Sequence, residues 1–307
     1  MIAFVAFLFF LGYGFDRFYL GGGPTPFPIG SVVALSVGTL SAWSSYFGGD
    51  RAVLLSTGAV PVAQALQAAT QEDQLKLRQL ENVVDEMSIA AGLPRPKVFV
   101  IPDPDPNAFA TGRDFEHASI AVTRGLLDML NRDELQAVVA HELSHVRNLD
   151  IRLMTVIAAM VGAAALIADW TSRGLRMGVR GERRGRNREK NGGLGVILLV
   201  IWLVAVILAP IIGQALAMMV SRRREYLADA SGAELTRDPL ALARALTKID
   251  TAEAPTASVK RGTAHLCIAD PLGRAIGLRE GRWSNLLASH PPMANRIAAL
   301  REMGFQP

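Results

Sequence analysis

Cysteine is almost absent from this chain of 307 residues, in which Cys267 is the only one. A single thiol excludes an intramolecular disulfide and fits a reducing or redox-indifferent compartment. Cys267 lies in an apolar run, which predicts a packed side chain and not a nucleophile. Charged residues are also scarce, at 20% of the chain, while 50% of the residues are hydrophobic and the mean hydropathy is +0.26. This composition favours a membrane protein over a purely soluble one.

Long apolar runs are few, and they differ in quality. The four that stand out are residues 1–15, 29–47, 153–168 and 194–220. The last has 27 residues, enough to cross a hydrocarbon core about 30 Å thick, whereas the other three are marginal against the ~20 residues usually needed. No Lys or Arg precedes the first apolar core and no small-residue cleavage site follows it, which indicates an uncleaved anchor and not a signal peptide. We therefore expect about four transmembrane or membrane-embedded helices.

Histidine is scarce as well, yet two of the five histidines stand four residues apart in the run His141-Glu142-Leu143-Ser144-His145. Side chains four apart on a helix are neighbours, with Cβ atoms about 5–6 Å apart, so one zinc ion can bind both imidazoles. Glu142 lies about 100° further around the helix, where it can reach a water in an open coordination position. This spacing predicts metal-assisted peptide hydrolysis, with Glu142 as the general base.

A helix is expected around this run on independent grounds. Asn131 can cap it, and Glu134 stands three residues later, as in a capping box. The apolar stripe of this helix consists of Leu135, Val138, Val139 and Val146. An ordinary amphipathic core helix with two histidines would show the same stripe. That alternative does not explain the glutamate between the histidines.

Two histidines and a water leave a third protein ligand to identify. The metzincin pattern fails, because Asn148 and Ile151 stand where it requires Gly and His. Further along, Glu225 and Asp229 are four apart and share a helix face, one suited to zinc and one to the N–H group of a ligand histidine. We predict Glu225 as the third ligand and Asp229 as the partner of a histidine. The alternative is a solvated helix pair that counters the arginines at 222–224.

These two helices, together with the segment Ser289-His290-Pro291-Pro292 and Arg296, resemble the HtpX-type membrane metallopeptidases, which are glutamate-zincins related to prenyl-protein proteases. The resemblance includes residues 106–112 and runs from about position 93 to the C-terminus. It implies a zincin-like peptidase of the bacterial inner membrane that holds one zinc ion per chain and degrades damaged membrane proteins. By this resemblance, His290 and Arg296 would steady the oxyanion or close the site; a helix-start turn made by the prolines is the alternative.

Short β-rich runs at residues 97–101 and 118–123 predict a small sheet in an otherwise helical fold, and residues 72–89 predict an amphipathic helix. The first run is followed by a plausible sheet edge made of Asn107, Ala108, Phe109 and Ala110. Such an edge can hold an extended substrate by backbone hydrogen bonds. A simple loop is the alternative.

The apolar stretches divide the chain into four parts. These are anchor helices at 1–50, the first half of the peptidase domain at 51–152, a hydrophobic hairpin at 153–220 and the second half of the domain at 221–307. A hairpin thus separates the two halves of one zinc site. The metal must therefore lie near the membrane, which favours substrates in or beside the bilayer.

Charge alone does not decide which side of the membrane the site faces. The link at 171–193 carries 7 Arg and 1 Lys against 2 Glu, which by the positive-inside rule would place that link in the cytoplasm, but six arginines near other span ends weigh against it. We follow the resemblance and expect a cytoplasmic peptidase domain. Residues 173–190 are a candidate for contact with anionic lipid, with a solvated loop as the alternative. The pI near 9.5 owes much to this link, so we expect no nucleic-acid partner.

The sequence as a whole predicts an integral-membrane zinc endopeptidase that acts on misfolded or damaged membrane proteins. A prenyl-protein endopeptidase is one alternative, although more spans would be expected for it. A noncatalytic, zinc-stabilised membrane scaffold is the other. A purely structural site would usually be closed by a fourth protein ligand and would gain nothing from the base at Glu142.

Overall fold

The structure is a computed structural model that describes residues 29–152, 222–252, 267–268 and 291–304, together with Val5, Phe9, Tyr13 and Thr155. The chain forms two compact units, Met1–Gly49 and Asp50–Pro307. Three of the predicted apolar stretches lie almost wholly outside the described residues, and the stretch at 29–47 belongs to a long helix. Within the described ranges, no helix combines the length and the apolar character needed to cross a membrane. The predicted count of four membrane helices stays a prediction.

Helices dominate the described part of the chain. They are α1 (Ile29–Ser56), α2 (Val62–Ala68), α3 (Gln71–Ala91), α4 (Arg124–Met129), α5 (Arg132–Arg147), α6 (Arg222–Thr236), α7 (Pro239–Asp250) and α8 (Met293–Gly304). The strands are β1 (Val60–Pro61), β2 (Lys97–Ile101), β3 (Ala108–Thr111) and β4 (Ser119–Thr123), and a short 3-10 turn lies at Phe115–His117. The predicted combination of a mainly helical chain with a small sheet is confirmed.

The sheet has the order β1-β2-β4-β3. Strand β2 runs parallel to β4, and the outer strands β1 and β3 are antiparallel to their neighbours. The predicted strand at 97–101 has those bounds, and the one predicted at 118–123 begins one residue later. Strand β1 was not expected, because two residues that include Pro61 carry no alternating pattern. Strand β3 lies at one end of the sheet, so its outer edge faces away from β4.

Helix α5 is the central helix of the second unit and packs against α3, α6, α7 and β3. It begins with the predicted capping box, in which the Asn131 side chain accepts from the Glu134 N–H and the Glu134 carboxylate accepts from the Asn131 N–H. The predicted apolar stripe is buried, and so is the face that carries both histidines. A helix buried on all sides needs partners for its polar groups, and Glu134 finds one in Lys248 at 2.7 Å.

Helix α5 ends in a turn made by a residue with a side chain. Leu149 has a φ of 56° and donates its N–H to the Val146 carbonyl at 3.0 Å. The left-handed conformation costs about 1–2 kcal/mol for a residue that carries a Cβ atom. The turn folds the chain back, so that the next residue, Asp150, lies buried beside α5 at 4% exposure.

Helix α6 approaches α5 most closely at Gly232. A Cβ atom on Gly232 would lie 3.0 Å from the backbone nitrogen of His141 and 3.1 Å from its Cα atom. Contacts this short are rare for real Cβ atoms. The neighbouring atoms here belong to the backbone of a packed helix, which cannot move aside as a flexible side chain can. The missing side chain of Gly232 therefore sets the distance between the two helices at the level of His141.

We expect Gly232→Ala to destabilise the protein, although alanine favours a helix by about 1 kcal/mol over glycine. The added methyl group must push α6 away from α5, and overpacking typically costs about 1–3 kcal/mol. Gly48→Ala is the matched control, since Gly48 also lies in a helix and its Cβ atom would meet nothing within 4 Å. Thermal unfolding followed by circular dichroism should give a lower midpoint for Gly232→Ala only. A midpoint equal to that of the parent would contradict the close approach.

Candidate metal centre

His141, His145 and Glu225 converge between α5 and α6, and all three are buried. The Nε2 atoms of the two histidines are 3.3 Å apart. Oxygens of Glu225 lie 3.9 Å from His141 Nε2 and 3.7 Å from His145 Nε2. Ligand atoms that surround zinc tetrahedrally at about 2.0–2.1 Å lie roughly 3.3 Å from one another. The three predicted ligands therefore fit one tetrahedral ion with small adjustments, and two histidines with a glutamate are a donor set typical of catalytic zinc.

Glu142 lies beside this group at 2% exposure. Its carboxylate faces the backbone N–H of Ala110 on β3. Burial raises the pKa of Glu142 and the charge of Glu225 raises it further, while His141 and His145, and slightly the Ala110 N–H, offset part of the effect. A carboxyl group with a raised pKa can both take up and return a proton near neutral pH. The structure thus brings the predicted base to the predicted ligands.

Asp229 lies one helical turn after Glu225, behind His141. Its Oδ1 atom is 3.0 Å from His141 Nδ1, although the ring N–H is not well aligned for a hydrogen bond. Arg296 on α8 binds both carboxylate oxygens, with Nε to Oδ2 at 2.8 Å and Nη2 to Oδ1 at 2.7 Å. Burial alone would raise the pKa of Asp229, but the charge and hydrogen bonds of Arg296 lower it to about 2. Asp229 therefore stays ionised and stands where it can orient His141.

Arg296 is completely buried, at 0% exposure. Besides Asp229, its Nη1 atom donates to the Ile268 carbonyl at 3.0 Å and lies 3.4 Å from a Glu225 oxygen. These contacts occupy the guanidinium group within the protein and favour a role in holding carboxylates. The predicted role at the oxyanion stays a prediction, and His290, its companion in that prediction, lies outside the described residues.

His145 has a carboxylate of its own, which the sequence did not indicate. Its Nδ1 atom lies 3.2 Å from Oδ2 of Asp150, and Asp150 forms an ion pair with Arg224, the residue before Glu225. Burial by itself lowers the pKa of His145, but the hydrogen bond to Asp150 and the charges of Glu225 and Glu142 outweigh it and raise the pKa to about 9. The sequence analysis did not find this contact, because the turn after α5 has no sequence signal.

The predicted sheet edge is strand β3, with Asn107 immediately before it. The Asn107 carbonyl accepts from the Thr123 N–H at 2.9 Å, and Phe109 stands opposite Ala121 in the register. Hydrogen-bonded and non-hydrogen-bonded pairs alternate along an antiparallel ladder. The backbone groups of Ala108 and Ala110 therefore point to the outer edge.

Two of those outward groups are already engaged. The Ala110 N–H faces the Glu142 carboxylate, and the Ala108 carbonyl accepts from the Ile268 N–H at 2.9 Å. Ile268 is itself held at its carbonyl by Arg296. The edge thus lies next to the predicted base, and part of it is covered by the backbone of another segment of the chain.

Known proteins match this chain along most of its length. Residues 74–304 match the family model described as Peptidase family M48. The chain is 43% identical over 304 residues to the Protease HtpX homolog of Caldanaerobacter subterraneus subsp. tengcongensis, which covers 99% of this chain and 93% of that protein. It is 42% identical over 303 residues to the Protease HtpX homolog of Thermoanaerobacter pseudethanolicus, with the same shares of 99% and 93%.

The fold is also similar to that of a solved structure. The crystal structure of S. mikatae Ste24p matches 96% of this chain with a TM-score of 0.50 and 19% identity, and the chain spans 62% of that protein. An identity this low shows similarity of fold alone. The family match covers strands β2, β3 and β4 and helices α5, α6 and α8, and therefore every residue of the centre described above. The chain belongs to peptidase family M48 and is a metallopeptidase.

Proposed function

We propose that this chain is a membrane-bound, zinc-dependent endopeptidase that cuts misfolded or damaged membrane proteins. The observation that carries the proposal is the position of Glu142, a buried carboxylate that adjoins the three ligands and faces the backbone of Ala110 on the edge strand β3. Three protein ligands leave a coordination position for water or substrate, as catalytic zinc sites do. A zinc-stabilised scaffold would need neither this opening nor the base.

The chemistry is divided between the metal and the protein. Zinc held by His141, His145 and Glu225 would supply Lewis acidity for the scissile carbonyl and for the attacking water. Glu142 accepts the proton of the attacking water and then delivers it to the leaving amine, and its raised pKa suits both transfers. The Ala110 N–H faces this carboxylate from the edge strand. Asp229 and Asp150 hold the two histidines from behind.

Strand β3 provides the proposed place for substrate. An extended peptide that adds to a sheet edge is bound through its backbone, so the edge itself discriminates little between substrate sequences. This suits an enzyme for unfolded segments of many proteins. Because the Ala108 carbonyl already accepts from Ile268, a substrate strand that uses the whole edge must displace that hydrogen bond.

The membrane part of the proposal is supported by apolar surface and by the order of the chain. Helix α1 exposes Leu40 at 70%, Trp43 at 62% and Phe47 at 52%, and large apolar groups of this kind mark contact with an apolar phase or a partner. The apolar stretch at 194–220 precedes α6 directly. We extend the proposal to the inner membrane of a bacterium, a cytoplasmic peptidase domain and contact of residues 173–190 with anionic lipid.

Replacement of the base separates catalysis from metal binding. We expect Glu142→Gln to keep zinc but to lose at least about 10²-fold of its activity on an unfolded test protein, the low end for loss of a general base. Glu234→Gln, an exposed change on α6, is the matched control and should keep full activity. The measurement is cleavage by the purified chain in detergent, with zinc content determined in parallel. Full activity of a zinc-loaded Glu142→Gln protein would refute the mechanism.

Replacement of the third ligand should act on the metal itself. Glu225→Ala removes one of three ligands from a buried site, so we expect the purified variant to contain little zinc at a concentration that saturates the parent. Elemental analysis after dialysis against a weak chelator measures this. Glu234→Ala, two turns further along α6, is the control. Equal zinc content in Glu225→Ala and the parent would rule out the assigned ligand.

The side of the membrane can be tested with thiol labelling. Cys267 is 1% exposed, so the parent chain should react little with an impermeant thiol reagent and serves as the control. The side chain of Glu72 is 80% exposed, and Glu72→Cys should remain unlabelled in intact cells but be labelled once the cells are permeabilised. Labelling of Glu72→Cys in intact cells would place the peptidase domain outside.

A further inference from the structure

We propose that Asp150 and Arg224 form a positioning pair for His145, and that this pair joins the two halves of the metal site. The inference rests on the proposed function in one respect, the role of His145 as a metal ligand. Its Nδ1 atom faces Asp150 Oδ2 at 3.2 Å, and its Nε2 atom lies 3.3 Å from His141 Nε2. An imidazole that donates from Nδ1 presents its lone pair at Nε2, the side of the other ligands.

The carboxylate of Asp150 is held at both oxygens. Oδ2 faces His145, while Oδ1 is bound by Nη1 of Arg224. Rotation of the carboxylate would break at least one of these contacts, and charge-assisted hydrogen bonds are the strong ones. The left-handed turn at Leu149 supplies the backbone geometry that brings Asp150 back beside α5. Asp150 is therefore fixed by backbone and side chains together.

The arrangement repeats the one at the other histidine. His141 stands against Asp229, which is bound by Arg296, and His145 stands against Asp150, which is bound by Arg224. In each case the arginine belongs to the second half of the domain, and each histidine belongs to α5 in the first half. Ligand histidines commonly depend on such carboxylates for orientation and basicity.

The location of Arg224 gives the pair a second effect. Arg224 and Asp150 are 74 residues apart in sequence, and Arg224 directly precedes the ligand Glu225 on α6. The ion pair thus fixes the beginning of α6 against the end of α5. Its loss should loosen Glu225 as well as His145, and so weaken metal binding. The Arg224 side chain is 44% exposed, so its removal leaves no large cavity and should spare the fold.

The test is a double-mutant cycle in which the zinc affinity of the full chain is measured in detergent. Every variant also carries Glu142→Gln as the common background, so that the protein does not cut itself. The variants are Asp150→Ala, Arg224→Ala and the two combined. Zn²⁺ affinity is measured by competition with a chromophoric chelator, and the visible spectrum of bound Co²⁺ reports the ligand geometry. Arg223→Ala, which removes the same charge from the preceding exposed position, is the matched control.

We expect Asp150→Ala to weaken zinc binding by about 10–100-fold and to alter the Co²⁺ spectrum, as loss of a carboxylate behind a ligand histidine does. Arg224→Ala should weaken binding less, and Arg223→Ala should leave it unchanged. Arg224→Ala should have no further effect in the Asp150→Ala chain, because the arginine acts through the carboxylate. Asp150→Asn, which keeps the size of the side chain, should fall between Asp150→Ala and the parent.

Three results would contradict the proposed role of Asp150 and Arg224 as a positioning pair. Unchanged zinc affinity in both Asp150 variants would show that His145 needs no partner. Equal effects of Arg224→Ala with and without Asp150 would show that the arginine acts elsewhere. If circular dichroism shows that Asp150→Ala is not folded, Asp150→Asn takes its place in the double-mutant cycle. A background chain that binds no zinc would instead refute the metal site of the proposed function, and the pair with it.

Discussion

Burial of charge is the constraint on which the rest of this domain depends. Four carboxylates surround the two ligand histidines, each at 4% exposure or less: Glu142, Asp150, Glu225 and Asp229. Two guanidinium groups, those of Arg224 and Arg296, compensate half of this formal charge. A divalent cation bound by His141, His145 and Glu225 would compensate the other half. Because unpaired charge is very costly in a protein interior, the helices around α5 must supply cations as well as apolar contacts. The raised pKa of His145 reflects the same negative surroundings.

Helix α6 is held against α5 at two levels, and the ligand Glu225 lies between them. Arg224 at the beginning of α6 is bound to Asp150, and Gly232, two turns later, lets the backbones approach at His141. Both contacts limit how the helices can slide or separate. The ligand geometry is therefore set by backbone packing and ion pairs and not by flexible side chains, which is the kind of support that a catalytic site needs. The two helices therefore keep a fixed geometry although residues 148–221 separate them in sequence.

The parts of the site that follow a helical period could be predicted from sequence. The spacing of His141 and His145 and the carboxylate pair in α6 each place groups on one helix face, and the structure brings them together. The strands at 97–101 and 118–123 and the capping box were visible in the same way. The contact of Asp150 with His145 could not be predicted, because nothing in the sequence indicates that Leu149 adopts a left-handed conformation and turns the chain. The contact at Gly232 and the pairing of Ile268 with Ala108 join residues far apart in sequence, and no local pattern encodes them.

Hydrogen bonds and close contacts connect the edge strand with the base and with the carboxylate behind His141. The Ala110 N–H faces Glu142, so a peptide that aligned on β3 would lie beside the base. At Ala108 the network continues through the N–H of Ile268, whose carbonyl is bound by Arg296. Arg296 in turn holds the carboxylate behind His141. A substrate that displaces Ile268 from the edge therefore acts on a segment anchored at the metal centre, which makes strand addition and ligand orientation parts of a single structural arrangement.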